Sequence, residues 1–201
     1  MTTAIIDTST ANIASVRFAL ERLDAPYVLA REPDDARGAD RLILPGVGAA
    51  GPAMARLRAT GWADALRTEN RPVLGLCLGM QLLFEVSEEG GAPIPLLTLI
   101  PGRVERLNPG GAGPWPHMGW NALDDLAPDE PLLEGISPGE RVYFVHGYRV
   151  APGPFTRATA LYGEPVTAIA RKGNVAGCQF HPERSAKVGA RILSNFIRAS
   201  S

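Results

Sequence analysis

The sequence predicts an α/β protein with a mainly parallel central sheet flanked by helices and a β-rich second half. Three observations carry that reading. Short apolar runs at residues 4–7, 27–29, 41–44 and 73–76 alternate with segments whose apolar residues recur at helical spacing, as in parallel strands joined by helices. The last of these runs opens into Gly75-Leu76-Cys77-Leu78-Gly79, which reads as strand, sharp turn and helix. Past residue 140 nearly all the apolar runs look like strands, until helical spacing returns at the C-terminus.

Taken in order, Ala4-Ile5-Ile6-Asp7 is the first strand and residues 8–12 a polar turn, with Asn12 as a possible N-cap. Ile13, Val16, Leu20 and Leu23 then lie on one helical face. Tyr27-Val28-Leu29 and residues 41–44 are strands two and three, the latter ending at Pro45-Gly46-Val47-Gly48. Met54 and Leu57, then Trp62 and Leu66, mark helix before the strand at 73–76, and residues 79–84 continue as helix. Residues 88–116 are rich in Gly and Pro; within them residues 102–107 read as a strand and Pro109 to Pro116 as a loop. Strands are expected at 141–145, 157–161, 166–171 and 175–180, and Val188, Ile192, Leu193, Phe196 and Ile197 define a C-terminal amphipathic helix. No repeat, low-complexity tract or long linker divides residues 1–201, so one domain is expected.

Composition narrows the classes of function. Of 201 residues 45% are hydrophobic and 20% charged, which fits a soluble globular protein. A net charge of −1 gives no electrostatic case for nucleic acid or an anionic membrane. No apolar run approaches membrane-spanning length, and the N-terminus enters a strand without a basic, then apolar, leader, so neither membrane nor signal peptide is expected. Two cysteines are too few for a disulfide scaffold, and a reducing cytoplasm is the expected compartment.

The pentapeptide at 75–79 is the nucleophile-elbow pattern with Cys in place of Ser. Position 77 must sit in a strained turn, and larger side chains at 75 and 79 would strike neighbouring backbone. The sulfur then emerges at the start of the following helix, whose positive end favours a thiolate. The alternative is a small buried Cys flanked by loop glycines. A Cys nucleophile needs a base and the base an orienting group. Among three histidines, His181 follows an apolar strand in Gln179-Phe180-His181-Pro182-Glu183, and so belongs at the same carboxyl edge of the sheet as Cys77. Glu183, two residues on, can fold back to the distal ring nitrogen. His146, after residues 141–145, is the rival base; His117, in a Pro- and Gly-rich loop, reads as structural. Oxyanion donors are expected from the Leu78 N–H and from the Gly48 region after strand three. The cysteines and histidines are scattered without metal-ligand spacing, so no metal is expected, and Cys178 reads as packing.

Pro45-Gly46-Val47-Gly48, residues 75–81 and Phe180-His181-Pro182-Glu183, in that order, resemble the three blocks of the class I (triad) glutamine amidotransferases. The resemblance spans essentially the whole chain. Through Pro116-His117-Met118-Gly119-Trp120-Asn121, Tyr143-Phe144-Val145-His146 and Arg184-Ser185 it narrows to the glutaminase subunits of imidazole glycerol phosphate synthase. It implies a flavodoxin-like sheet and no cofactor. It implies a Cys77, His181, Glu183 triad that hydrolyses L-glutamine, with Gly48 and Leu78 at the oxyanion and Gly46, Gln81, Glu89, Gly147 and Tyr148 around the substrate. It also implies a (β/α)₈-barrel cyclase partner that uses the ammonia to make imidazole glycerol phosphate and an aminoimidazole carboxamide ribonucleotide in histidine biosynthesis, met by Asn12, Trp120, Tyr143 and Arg184. A flip of the Val47–Gly48 peptide is the implied switch.

Three positions depart from that family. Gly147 stands where a small hydroxyl residue is common, Arg184 where Lys is commoner, and the loop 109–115 is unusually rich in Gly and Pro. The alternatives are the glutaminase of a pyridoxal-phosphate or anthranilate synthase, which the Trp120 block disfavours, a Cys hydrolase, which the order His181 then Glu183 disfavours, and a non-catalytic redox sensor on the same sheet.

Overall fold

The computed structural model describes residues 1–8 and 13–199. The expected N-cap Asn12 lies outside them. The main sheet takes its strands from β1 (Thr3–Ile6), β2 (Tyr27–Ala30), β3 (Arg41–Leu44) and β4 (Val73–Leu76) of the first half, and β11 (Thr156–Tyr162), β12 (Glu164–Lys172) and β13 (Val175–Cys178) of the second. Their order is β11-β12-β13-β4-β3-β1-β2. The five strands from β13 to β2 are parallel, whereas β12 and β11 add an antiparallel edge. Residues of β1, β3, β4 and β13 are buried on both faces, which is why these strands read as continuous apolar runs rather than as alternation.

The two faces have separate cores. Ala4, Ile6, Leu42, Leu44 and Val73 meet α2 (Ala50–Ala59), α3 (Trp62–Arg67) and α4 (Leu78–Leu82) on one side. That side also holds a small sheet of β5 (Val86–Ser87), β6 (Ile94–Pro95), β7 (Arg103–Arg106) and β10 (Tyr148–Val150), in the order β10-β7-β5-β6. On the other side Ile5, Ile43, Leu74 and Leu76 meet α1 (Ile13–Glu21), α5 (Ala186–Arg198) and the inner residues of a two-stranded sheet, β8 (His117–Ala122) with β9 (Arg141–His146). Each fully buried Leu, Ile or Phe contributes ~1.5–3 kcal/mol relative to exposure, so α5 is held by Ile192, Leu193 and Phe196.

The strand assignments at 27–30, 41–44, 73–76 and 103–106 match expectation within a residue. The helical stretch before β4 gains detail, and two expectations need correction. Residues 50–67 form two helices, because Gly61, with a φ of 79°, turns the chain between them. The helix after the elbow stops at Leu82 and the chain then folds into β5. Residues 117–122, expected to begin in a loop, are a strand: pairing in register with β9, His117 opposite His146 and Trp120 opposite Tyr143, supplies the order that the local sequence lacks.

Candidate active site

Cys77 stands at the carboxyl end of β4 with φ 51° and ψ −110°, a conformation that costs ~1–3 kcal/mol for a residue with a side chain. Close packing enforces it. A Cβ at Gly75 would lie 2.6 Å from the Gly79 carbonyl oxygen, and one at Gly79 would run into the Leu44 carbonyl. Gly46 serves the same fit: a Cβ there would lie 2.7 Å from Gly79 N and 2.9 Å from Leu78 Cβ. The backbone N–H of Cys77 donates to Cys178 O at 2.7 Å, tying the elbow to β13.

His181 reaches the same edge because β13 is parallel to β4. Its main chain is clamped to β9: His181 N donates to Tyr143 O (2.9 Å), Tyr143 N to Ser185 Oγ (2.9 Å), and Ser185 Oγ to His181 O (2.6 Å). The His181 Nδ1–H donates to Glu183 Oε1 at 2.7 Å, with both side chains almost wholly buried. This tautomer leaves Nε2, which has no other partner, facing the thiol side. Burial alone would lower the pKa of His181, but interaction with Cys77 and with the Glu183 carboxylate outweighs it and raises it from 6.5 to about 10. Both neighbours thus make this ring a strong proton acceptor.

A cavity of about 420 Å³ opens on this pair, a size suited to a small organic ligand. Of the residues expected there, it is lined by Cys77, His181, Gly48, Leu78, Gln81, Glu89, Gly147 and Tyr148. Gly46 lies outside that lining. It lines only a minute cleft beside His181 and Glu183, and its missing side chain serves the elbow packing. Gly48 has φ 90°, a backbone that favours glycine. Glu89 accepts the Ala50 N–H at 2.6 Å, so one carboxylate oxygen is occupied at the start of α2. Gln81 Nε2 donates to Tyr148 O (2.9 Å) and Gln179 Oε1 (3.0 Å), leaving its own carbonyl oxygen as the group it offers. The carbonyls of 147 and 148 are also engaged. Gly147 O accepts from Leu107 N (3.0 Å) and Trp115 Nε1 (2.9 Å), and Tyr148 O accepts from Gln81 and from His146 Nδ1 (2.9 Å). These two residues shape the wall rather than offer carbonyl acceptors.

The rival base is settled by a hydrogen-bond chain. Because His146 Nδ1–H donates to a carbonyl, its Nε2 is an acceptor, and it accepts from His117 Nδ1–H at 3.0 Å. Burial pushes His117 down to about 4 and His146 to about 3, so both stay neutral. The His117 ring is stacked between Phe144 and Tyr162, with centroids 4.8 and 4.0 Å away. His146 has no free basic nitrogen to offer. His117 is structural as expected, though on a strand rather than in a loop. Burial holds the Cys178 thiol far above its ordinary pKa within the core, in line with a packing role.

Outside the cavity, Trp120, Tyr143 and Arg184 come together. The Trp120 and Tyr143 rings meet edge to face at 6.0 Å, and the Arg184 guanidinium lies 4.8 Å over Tyr143. Trp120 and Met118 are exposed, 47% and 62%. The sequence pattern did not point to Trp115, Pro116 or Val145 as lining, nor to Gln179 as a support for Gln81. Only the unusual loop 109–115 signalled Trp115.

A strained cysteine elbow and a buried histidine–glutamate pair meet at one small-ligand cavity, the arrangement that acyl transfer through a cysteine requires. The model of the class I glutamine amidotransferase family matches residues 4–199, and the chain belongs to that family. It is a glutamine amidotransferase. It is 49% identical over 197 residues to the imidazole glycerol phosphate synthase subunit HisH of Xanthomonas axonopodis pv. citri, covering 98% of this chain and 97% of that one. The HisH subunit of Vibrio cholerae is 44% identical, covering 96% of each. Among solved structures, one described as a glutamine amidotransferase superposes with a TM-score of 0.74 at 21% identity, covering 96% of each chain. PurLQS from Thermotoga maritima gives 0.72 at 19%, covering 97% of this chain and 96% of that one. Among the described residues no helix is long and apolar enough to cross a membrane, and no cluster of His, Cys, Asp and Glu has metal-site geometry.

Proposed function

We propose that this chain is the glutaminase subunit of imidazole glycerol phosphate synthase in histidine biosynthesis, and that Cys77, His181 and Glu183 are its catalytic triad. The observation that carries the triad is the His181 Nδ1–Glu183 Oε1 bond at 2.7 Å beside a strained cysteine at the same sheet edge.

The chemistry follows from those positions. The Cys77 sulfur attacks the carboxamide carbon of L-glutamine, its proton passing to His181. A C–S bond forms, and the C–N bond breaks as His181 returns the proton to the departing ammonia. Water, deprotonated by His181, then attacks the thioester; the C–S bond breaks, glutamate leaves, and the proton returns to the thiolate. Glu183 holds the tautomer that keeps Nε2 free and steadies the imidazolium. The N–H groups of Gly48 and Leu78 receive the oxyanion, and loss of one such donor costs ~10²–10³ in rate. Gln81 and Glu89 orient the amino-acid end of glutamine, with Gly147 and Tyr148 as wall.

The relatives' name implies a second subunit. In this reading the partner is a (β/α)₈-barrel cyclase that takes up the ammonia, and Trp120, Tyr143 and Arg184 meet it. A sheltered path suits the chemistry, because ammonia in neutral water is mostly protonated and a poor nucleophile. The test is glutamate release by the chain alone, with the cyclase subunit, and with that subunit plus its nucleotide. Strong stimulation only in the full mixture supports the reading. Stimulation by an anthranilate synthase partner instead would overturn the assignment of the synthase.

A further inference from the structure

We propose that Trp115 is a specificity-determining residue of the glutamine pocket: its indole walls the end that receives the α-amino and α-carboxylate groups, and Gly147 is glycine to admit it. The proposal rests on the glutaminase reading above and adds which substrates that site refuses.

Gly147 has no positive φ, so its backbone does not call for glycine. The space does. A Cβ at 147 would lie 2.6 Å from Trp115 Cζ2 and 2.9 Å from Cε2, closer than real Cβ contacts allow. The indole is held where it is from several directions. Its Nε1–H donates to Gly147 O at 2.9 Å. The Arg106 guanidinium stacks 4.1 Å from the ring centre, and the Tyr148 ring meets it edge to face at 6.4 Å. The loop that carries it is strapped down in turn: Tyr162 Oη–H donates to Pro114 O at 2.8 Å, and a Cβ at Gly113 would run into that phenol oxygen. Two of the three sequence features that stand out from the family, Gly147 and the loop 109–115, are thus the two halves of one contact.

Trp115 and Pro116 line the same cavity as Cys77, yet Trp115 is 41% exposed while Cys77 is 6% exposed. The sulfur marks the floor and the indole the mouth. A carboxamide placed on the sulfur directs the α-carbon of glutamine outward, toward Trp115, Gln81 and Glu89. A fixed aromatic wall there leaves room for a free amino acid and none for a chain continuing from its α-amino group. The class accepted is the free amino acid, and the class refused is glutamine inside a peptide. Truncating the ring opens the mouth.

The experiment compares glutamate formation from L-glutamine with hydrolysis of the side-chain amide of alanyl-glutamine, by the chain in complex with its cyclase subunit and nucleotide. Trp115→Ala is expected to raise KM for glutamine by more than it lowers kcat. It is also expected to shift the ratio of kcat/KM for the two substrates by ~10-fold or more toward the dipeptide. Trp115→Phe, which keeps a ring but not the N–H, retains most of the discrimination. Gly147→Ala, which displaces the ring, shifts the ratio in the same direction, and adding it to Trp115→Ala changes the ratio no further. Thermal melting confirms that each variant is folded. An unchanged ratio in Trp115→Ala, or independent effects of the two substitutions, overturns the proposal while leaving the glutaminase intact. Failure of the unsubstituted complex to release glutamate overturns the underlying reading as well.

Discussion

Glu183→Gln isolates what the carboxylate does for His181. The substitution keeps the size of the side chain and removes the charge that accepts Nδ1–H at 2.7 Å. The pKa of His181 is raised from 6.5 to about 10 against burial, by Cys77 and Glu183 together. Part of that rise comes from the carboxylate, so its removal withdraws stabilisation from the imidazolium. Each ~1.4 kcal/mol withdrawn from the imidazolium-forming step is ~10-fold in rate. A glutamine that turns its NH₂ toward Nδ1 also enforces the wrong tautomer, which deepens the loss toward ~10⁴. The sign of the stability effect is set by the direction of the shift. A raised pKa means the stabilisation is fully present below pH 6.5 and is lost as pH rises toward about 10. The melting-temperature gap between unsubstituted chain and variant should therefore be widest near pH 6 and close toward pH 10. The assay pairs a pH series of thermal melts with glutamate release by the cyclase complex, using added ammonia to show that cyclisation survives. Glutamate release within tenfold of normal, or a melting gap that widens with pH, would refute the reasoning.

Two further predictions concern the fold around the site. Gly79→Ala drives a methyl into the Leu44 carbonyl and should cost ~1–3 kcal/mol or more by chemical denaturation, whereas Gly38→Ala, with nothing within 4 Å and no positive φ, should be near neutral. Equal costs would contradict the elbow-packing account. The second concerns acid stability. His117 and His146 are depressed to about 4 and about 3, so their stabilisation is present above pH 6.5 and is lost as pH falls through those values. A His146→Gln variant should show a shallower decline of unfolding free energy between pH 6 and 4, by about one proton; an unchanged slope would contradict the neutral pair.

How far the sequence was legible depended on whether a residue's role was local. Residues 41–44 and 73–76 are buried on both faces, so their apolar runs declared them strands, and the elbow declared itself through the glycines at 75 and 79. His181 was legible because its strand is parallel to the one before Cys77. Residues 117–122 were not, because Gly119 and Asn121 carry no strand pattern and the order comes from pairing with residues 141–146, some two dozen positions on. The two-residue strands at 86–87 and 94–95 are too short to show periodicity. Gly46 was named as a substrate contact through the family resemblance alone; the packing constraint on it, a clash with Gly79 and Leu78, is visible only once two loops are brought together. The neutral state of His146 depends on donors at 117 and acceptors at 148. The Trp115–Gly147 contact joins residues 32 apart, so the sequence could mark both as unusual without showing that they touch.

The central claim is that Cys77 carries the acyl group. Its most direct test is to quench the complex with acid during glutamine turnover and map the chain by mass spectrometry. The account predicts a γ-glutamyl thioester on the peptide containing Cys77, absent from a Cys77→Ala variant that also releases no glutamate. Continued glutamate release by that variant, or an adduct on Cys178 in its place, would contradict it.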